Sequence, residues 1–238
     1  MDIGKAFSFP FEDDEWLTKL LLGALVSAVP ILNFAWTGYS IDIMRNVIDG
    51  ISLPLPDWSD FGDKFVKGFY IWVAGFIYTL PALLIACLPL GLLLIPATSE
   101  TSNTTEALAS VFTGIGIVFL CLLTIYLLAF SFFFPAAYIN FARKGTFGSC
   151  FEISEIIKIV SQNTGKYLTA WLVSIVAAIV VGIILSVVGT VLAAIICIGW
   201  LITWVVSALG SVYLFAIYAH LFGQVVATPS LSVVPTEE

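Results

Sequence analysis

Charge is what this 238-residue sequence has least of. Lys, Arg, Asp and Glu make up 11% of it and hydrophobic residues 60%, whereas a soluble domain carries roughly 25% charged residues. With a mean hydropathy of +1.07, the chain reads as a polytopic membrane protein. Histidine occurs once, as His220, and no His-Glu-x-x-His or Gly-x-Ser-x-Gly pattern is present. The apolar runs hold no Asp, Glu or Arg, and only Lys19 at one mouth and His220 near the end of the last run. Intramembrane charges mark ion pathways, proton relays and catalytic sites, so their scarcity counts against ion-coupled transport and intramembrane proteolysis. His220 reads as a packing or interfacial residue. The four cysteines (Cys87, Cys121, Cys150, Cys197) are scattered without a Cys-x-x-Cys pair, and cysteine in apolar runs behaves as a small hydrophobe. No catalytic residue, metal or cofactor is expected. The net charge of −7 lies in loops and termini and does not suggest nucleic acid as a partner. The N-terminus lacks the basic stretch of a signal peptide.

What remains is a helical membrane bundle. Residues 1–15 form a polar segment, 16–222 the bundle and 223–238 a polar tail. Span one covers about Leu17 to Tyr39. Pro30 inside it predicts a kink or a split into a helical hairpin, so five spans are expected, or six if it splits. Span two runs from about Phe69 to Pro96 and span three from Ala107 to Phe141, with Pro135 near the aromatic cluster Phe130 to Tyr138. The polar residues 98–106 between them include an Asn103-Thr104-Thr105 triplet, which fits a glycosylation acceptor but is common by chance. The apolar run from Tyr167 to Phe222 is long enough for two spans, with a turn expected at Cys197–Trp200, or else at Gly189.

Two stretches are amphipathic. In Ser149–Lys166 the residues Ile153, Ile156, Ile157 and Val160 share one helical face. Ser149 and Glu152 have capping-box spacing, and Gly165 can end the helix. At about 14 residues it is too short to span a bilayer, which needs about 20; it is expected to lie in the interface with that face on lipid. Asp57–Phe69 predicts a second interfacial helix. Span four carries small residues every fourth position, among them Ala178, Gly182 and Ser186, a pattern for close helix packing within the chain or against another subunit. Asn33 and Asn140 are the polar residues to watch. They are read as hydrogen bonds between helices or, with Phe132 and Tyr138, as candidate lipid contacts.

Seven of the nine Lys and Arg residues fall in the two loops with amphipathic helices, which predicts those loops to be cytoplasmic. Five spans would then leave the N-terminus outside, with Lys5 and Lys19 on the disfavoured side; six would bring both termini inside. The order Tyr39, Arg45, Gly50, amphipathic helix, Gly68 is echoed by Tyr138, Arg143, Gly145, amphipathic helix, Gly165, the outline of an internal repeat.

Phe9-Pro10-Phe11, Gly38-Tyr39, Arg45, Gly50, Leu55-Pro56-Asp57-Trp58 and Gly68 together resemble a prokaryotic membrane-protein family, domain of unknown function 4013. The resemblance covers most of residues 7–222 and implies a prokaryotic cell membrane. It carries over no functional residue. The expectation is a non-enzymatic, multi-pass protein of the cell membrane, an accessory or assembly subunit or a membrane-organising protein. The lipid bilayer, other membrane subunits or further copies of the chain would be its partners. The alternative is a transporter or carrier of a lipid or other small apolar molecule.

Overall fold

Pro30 makes the first break. The apolar stretch from Trp16 onward forms two helices, α2 (Trp16–Ala28) and α3 (Asn33–Ile48), preceded by the short α1 (Ile3–Ser8) and a 3₁₀ turn. The hairpin alternative for span one is therefore the one adopted. A proline cannot donate to the helical ladder and clashes with the turn before it, and the chain turns at residues 29–32. The computed structural model describes residues 1–94, 103–193 and 198–227. Beyond α3 come α4 (Phe61–Leu94), α5 (Asn103–Lys144), α6 (Ile153–Gln162), α7 (Thr164–Ala193) and α8 (Gly199–Val226). All regular elements among the described residues are helical. Among the described residues, four helices are long and apolar enough to cross a membrane, at Phe61–Cys87, Gly114–Lys144, Thr164–Leu192 and Gly199–Val226, and α2 is a shorter apolar helix.

The second interfacial helix does not exist as a separate element. After Pro54 and Pro56 nothing interrupts the helix from Phe61 onward, so the amphipathic stretch becomes the first turns of α4. The break between the last two spans falls where expected, with Gly199 opening α8; Cys197 lies outside the described residues, and Gly189 sits inside α7. Part of the polar stretch 98–106, Pro96 and the end of the C-terminal tail also lie outside them, whereas Asn103 begins α5.

The chain divides into two compact units, Met1–Trp72 with Pro135–Glu238, and Val73–Phe134. In the first, α8 is the central element. Val212, Ala216, Leu221 and Phe222 on it are fully buried. Helix α7 runs antiparallel to it, with Leu185 against Gly210 and Gly189 against Thr203. The α2–α3 hairpin covers the other side, Gly23 lying against Val212, and Val47 and Met44 against Gly223. In the second unit the later part of α4 pairs with the earlier part of α5. There Phe134 packs over Gly75, and Tyr126 donates to the Tyr78 carbonyl.

Among the described residues, only the start of the small-residue row on α7 packs within the chain. Ala170 is buried and Ser174 half-buried, but Ala178, Gly182 and Ser186 are exposed. Four residues turn a helix by about 400°, so a period of four drifts about 40° per step. By Gly182 the row has left the α8 side, and Ala177 takes its place there.

The closest approach in the first unit is between α3 and α4. A Cβ added to Gly38 would fall 1.7 Å from the Lys64 carbonyl oxygen, and one added to Gly68 would fall 1.7 Å from that of Phe34. Only glycine at both positions lets the two backbones touch. Gly38→Ala should therefore cost at least the 1–3 kcal/mol (about) typical of overpacking. Gly62→Ala, with nothing within 4 Å of its added Cβ, should be neutral. Thermal unfolding of both variants in detergent checks this; equal melting temperatures would count against the tight crossing.

Candidate functional site

The charged side chains described in the first unit gather at one end, where α3, α5 and α8 finish and α4, α6 and α7 begin. All nine Lys and Arg residues of the sequence belong to this unit. Helix ends expose unpaired carbonyls and amides, and the charged side chains here serve those ends and one another.

Lys19, the one cation of α2, is buried. Its Nζ lies 2.8 Å from Asp13 Oδ2 and 3.2 Å from Asp57 Oδ1. Its backbone carbonyl accepts a 3.0 Å hydrogen bond from Trp58 Nε1. One residue thus ties the N-terminal segment, α2 and the Leu55–Trp58 loop together. Trp58 stacks on Tyr39 at 4.6 Å, and Tyr39 on Trp36 at 5.0 Å. Trp36 Nε1 and the Tyr39 hydroxyl are buried without a hydrogen-bond partner among the described residues, so ring stacking and burial hold this column. Burial alone would raise the Asp13 pKa. The hydrogen bonds from Lys19 and the Glu15 N–H override it and leave the carboxyl below its ordinary value.

A second set bridges the α3–α4 crossing. Asp42 of α3 receives Lys67 at 2.7 Å and Lys64 at 3.7 Å, and Lys67 also reaches Asp63. Arg45, one turn further, donates from Nε to the Ala142 carbonyl at 2.8 Å. Helix α5 ends at Gly145, whose φ is +70°, with its N–H bonded to Phe141 O. This single-bond cap leaves the Ala142 carbonyl without a backbone partner, and Arg45 supplies the donor.

Asn140 and Glu152 form the third set. Asn140 is fully buried, and its Nδ2 donates to Ser149 O at 2.8 Å and to Glu152 Oε2 at 2.9 Å. Lys144 donates to the same carboxylate. The hydrogen bonds from Lys144 and Asn140 outweigh desolvation and lower the Glu152 pKa. The expected capping box therefore does not form. Glu152 is engaged by α5, the Ser149 hydroxyl turns back to Thr146 O, and residues Phe147–Phe151 make a 3₁₀ turn. Gly165 does not end α6 either; the break is at Asn163, and Gly165 lies in the first turn of α7. Cys150 is buried in this lead-in, which pushes its thiol up to about 12.

The remaining candidates separate. Of the face assigned to lipid on α6, Ile153 and Ile157 are exposed, Val160 is half-buried, and Ile156 is buried against the protein together with Ile159. The apolar arc is wide enough to cover the protein with one flank and present the other outward. Ile159, three residues from Ile156, was legible as part of it and was missed. Asn33 is exposed at the tip of the α2–α3 hairpin, on the order of 18 Å along α3 from Arg45. It lies away from the polar cluster that holds Asn140. Tyr138 is buried against Tyr218 at 5.9 Å, and Phe132 is half-buried in the second unit against Phe133. His220 is buried, stacked on Phe9 at 4.4 Å, with Nδ1 2.9 Å from Gln224 Nε2. The Lys19, Asp42 and Arg45 contacts had no sequence signal, because their partners are 97 residues away at the widest. An open groove of about 580 Å³ is lined by Ile48, Asp49, Arg143, Gln162, Asn163 and Val226.

These contacts predict structural effects. Lys19→Met leaves the Asp13 carboxylate enclosed without its cation and should cost about 3–5 kcal/mol; Trp58→Phe removes one hydrogen bond and should cost about 1 kcal/mol. Because the Asp13 pKa is lowered on folding, its contribution is present above the ordinary carboxylate value of about 3.9 and is lost as pH falls through its folded value. Melting temperature should therefore fall less steeply between pH 5 and pH 3 (about) in Asp13→Asn than in the wild type. Parallel profiles would show that Asp13 contributes nothing.

No solved structure matches this chain. It is similar to an uncharacterized protein of Methanocaldococcus jannaschii, 27% identical over 150 residues, which cover 62% of this chain. The chain matches about half the length of that relative, 48% of it. The family described as "Protein of unknown function (DUF4013)" matches residues 21–190, a stretch that begins in α2, includes the α3–α4 glycine crossing and ends in α7. With the helical membrane architecture and the Gly38, Arg45, Leu55–Trp58 and Gly68 contacts in place, the chain belongs to this family.

Proposed function

We propose that this chain is a non-enzymatic, multi-pass protein of the cell membrane that serves as an accessory or assembly subunit or organises the membrane around it. The observation that carries this reading is where the polar groups are and what they do. Lys19, Asp42, Arg45, Asn140 and Glu152 are each engaged in tying a helix to another segment of the chain. The outward surfaces of α7 and α8, in contrast, are rows of large apolar side chains such as Leu172, Ile179, Ile183, Trp200 and Trp204. Such a surface meets lipid or the apolar helices of another subunit. The confinement of all nine cations to the helix-end cluster supports a cytoplasmic position for that end. With span one folded as a hairpin, Lys5 and Lys19 join the same side, which removes the objection that they raised.

Extraction of the tagged protein in a mild detergent, followed by native mass spectrometry, tests the role. Other chains recovered in fixed stoichiometry are the expected result. A lone protein carrying one defined lipid would replace this reading with that of a carrier. Fusions at the C-terminus test the orientation: green fluorescent protein there should fluoresce and alkaline phosphatase should be inactive, and the reverse pattern would place the cluster outside.

A further inference from the structure

We infer that the α2–α3 hairpin is a re-entrant insert. It enters the bilayer from the side of the polar cluster, turns within the hydrocarbon at residues 29–32 and leaves on the same side, with lipid acyl chains against its outer face and tip. The inference does not depend on the accessory role.

Length comes first. Helix α2 has 13 residues, about 20 Å at 1.5 Å per residue, against a hydrocarbon thickness of about 30 Å. It cannot cross. Its register on α8 says how far it reaches. Gly23 lies against Val212, and Val47 and Met44 lie against Gly223. Following α2 five residues from Gly23 to Ala28 puts the turn near the level of Ser207. Helix α8 begins at Gly199, so the turn stops about 12 Å short of its far end. Exposure along α8 agrees. Trp200, Leu201, Ile202, Trp204 and Val205 are exposed, whereas burial becomes dense from Val212 onward. The hairpin covers the second half of α8 and leaves the first half open.

Composition comes next. No charged residue occurs between Lys19 and Asp42. The outer face of α2 presents Leu17, Leu21, Leu22 and Leu25, and the turn presents Val29 and Ile31, with Leu25 and Ile31 both 67% exposed. This surface continues the apolar exterior of the α7–α8 pair beside it. The two ends of the hairpin are polar and anchored, by Lys19 with Asp13 and by Asp42 with Lys67. Backbone groups in hydrocarbon must be paired. The turn meets much of this requirement: Val29 N–H bonds to Val26 O, Asn33 N–H to Val29 O, Ala35 N–H to Leu32 O, and Pro30 has no N–H to satisfy. The hairpin adds two helix cross-sections to the leaflet on its own side and none to the other. The hairpin displaces lipid from one leaflet alone.

Single cysteines test this in the full chain with Cys87, Cys121 and Cys197 changed to serine and the buried Cys150 kept; this parent supplies the labelling background. Ser8→Cys, Ile51→Cys, Leu25→Cys and Ile31→Cys all lie at exposed positions, and melting temperatures equal to the parent's confirm folding. In sealed vesicles of one orientation, a membrane-impermeant maleimide should label Ser8→Cys and Ile51→Cys from the same face. It should label Ile31→Cys from neither. A nitroxide at Ile31→Cys should collide several-fold more often with oxygen than with a water-soluble nickel chelate, and one at Leu25→Cys should report a shallower depth. Labelling of Ile31→Cys from the opposite face would show a hairpin that crosses completely, and labelling from the same face one that lies in water. An immobile nitroxide reached by neither quencher would show protein rather than lipid over the tip. Each of these three results overturns the inference.

Discussion

The contact between the backbones of α3 and α4 is the constraint on which the polar end depends. Gly38 and Gly68 put no Cβ between the two backbones, and close approach brings Asp42 within reach of both Lys64 and Lys67. With α3 held there, its next turn places Arg45 at the end of α5 and Val47 against Gly223 of α8. These ion pairs are not in themselves large sources of stability, since desolvation offsets much of the Coulomb attraction. Their value lies in what breaking one would leave behind: an enclosed charge beside apolar surface. The crossing and its charges are thus coupled, and neither is well placed without the other.

The outline of a repeat between the two halves holds at some positions and fails at others. Gly50 and Gly145 both end a helix with positive φ, 76° and 70°, and Tyr39 and Tyr138 are both buried. Beyond these the halves diverge. Arg45 caps the partner helix, whereas Arg143 lines an open groove. Gly68 is pressed onto a carbonyl, whereas nothing lies within 4 Å of a Cβ on Gly165. One half contains a hairpin and a helix that runs straight into a span; the other contains a single long helix and a separate α6. The shared features are those that any helix leaving a membrane needs, and the distinct ones are those that fix each helix to a particular neighbour.

Apolar length and strong breakers were legible in the sequence, because both act locally. Four long helices, the turn before Gly199 and the alternative of a hairpin at Pro30 could all be read from residues within one turn of each event. The errors arose where a choice was settled at a distance. The polar stretch before Phe69 looked like an interfacial helix, but it runs on unbroken into α4, where Gly68 meets Phe34 of α3. Ser149 and Glu152 had the spacing of a cap, yet Lys144 and Asn140 on another helix take the carboxylate. On α7 the row of small residues was real, but helical drift turns most of it away from α8. Asn33 and Asn140 both stood out as polar residues in apolar runs, but the turn at Pro30 leaves Asn33 exposed at the hairpin tip while Asn140 is buried in the polar cluster.

The residues that carry the family resemblance now each have a physical reason to be what they are. Gly38 and Gly68 permit the crossing, Tyr39 and Trp58 stack, Arg45 caps α5, Gly50 reverses the chain, and Leu55 is buried beneath the loop that Asp57 and Trp58 anchor to Lys19. Each acts on the chain itself. A pattern of this kind describes how the fold is held, and it leaves the role of the protein to the surfaces that these residues do not occupy. Those surfaces are the apolar flanks of α2, α6 and α7 and the groove beside Arg143. Ile153 and Ile157 on α6 and Leu21, Leu25 and Ile31 on the hairpin share one property: they are large, apolar and directed away from the core, from the charged end of the unit to the hairpin tip. With the hairpin packed beside α8, the first unit presents more apolar surface outward than α7 and α8 alone would, and that surface is where specific contact with lipid or with a neighbouring helix has the most to act on.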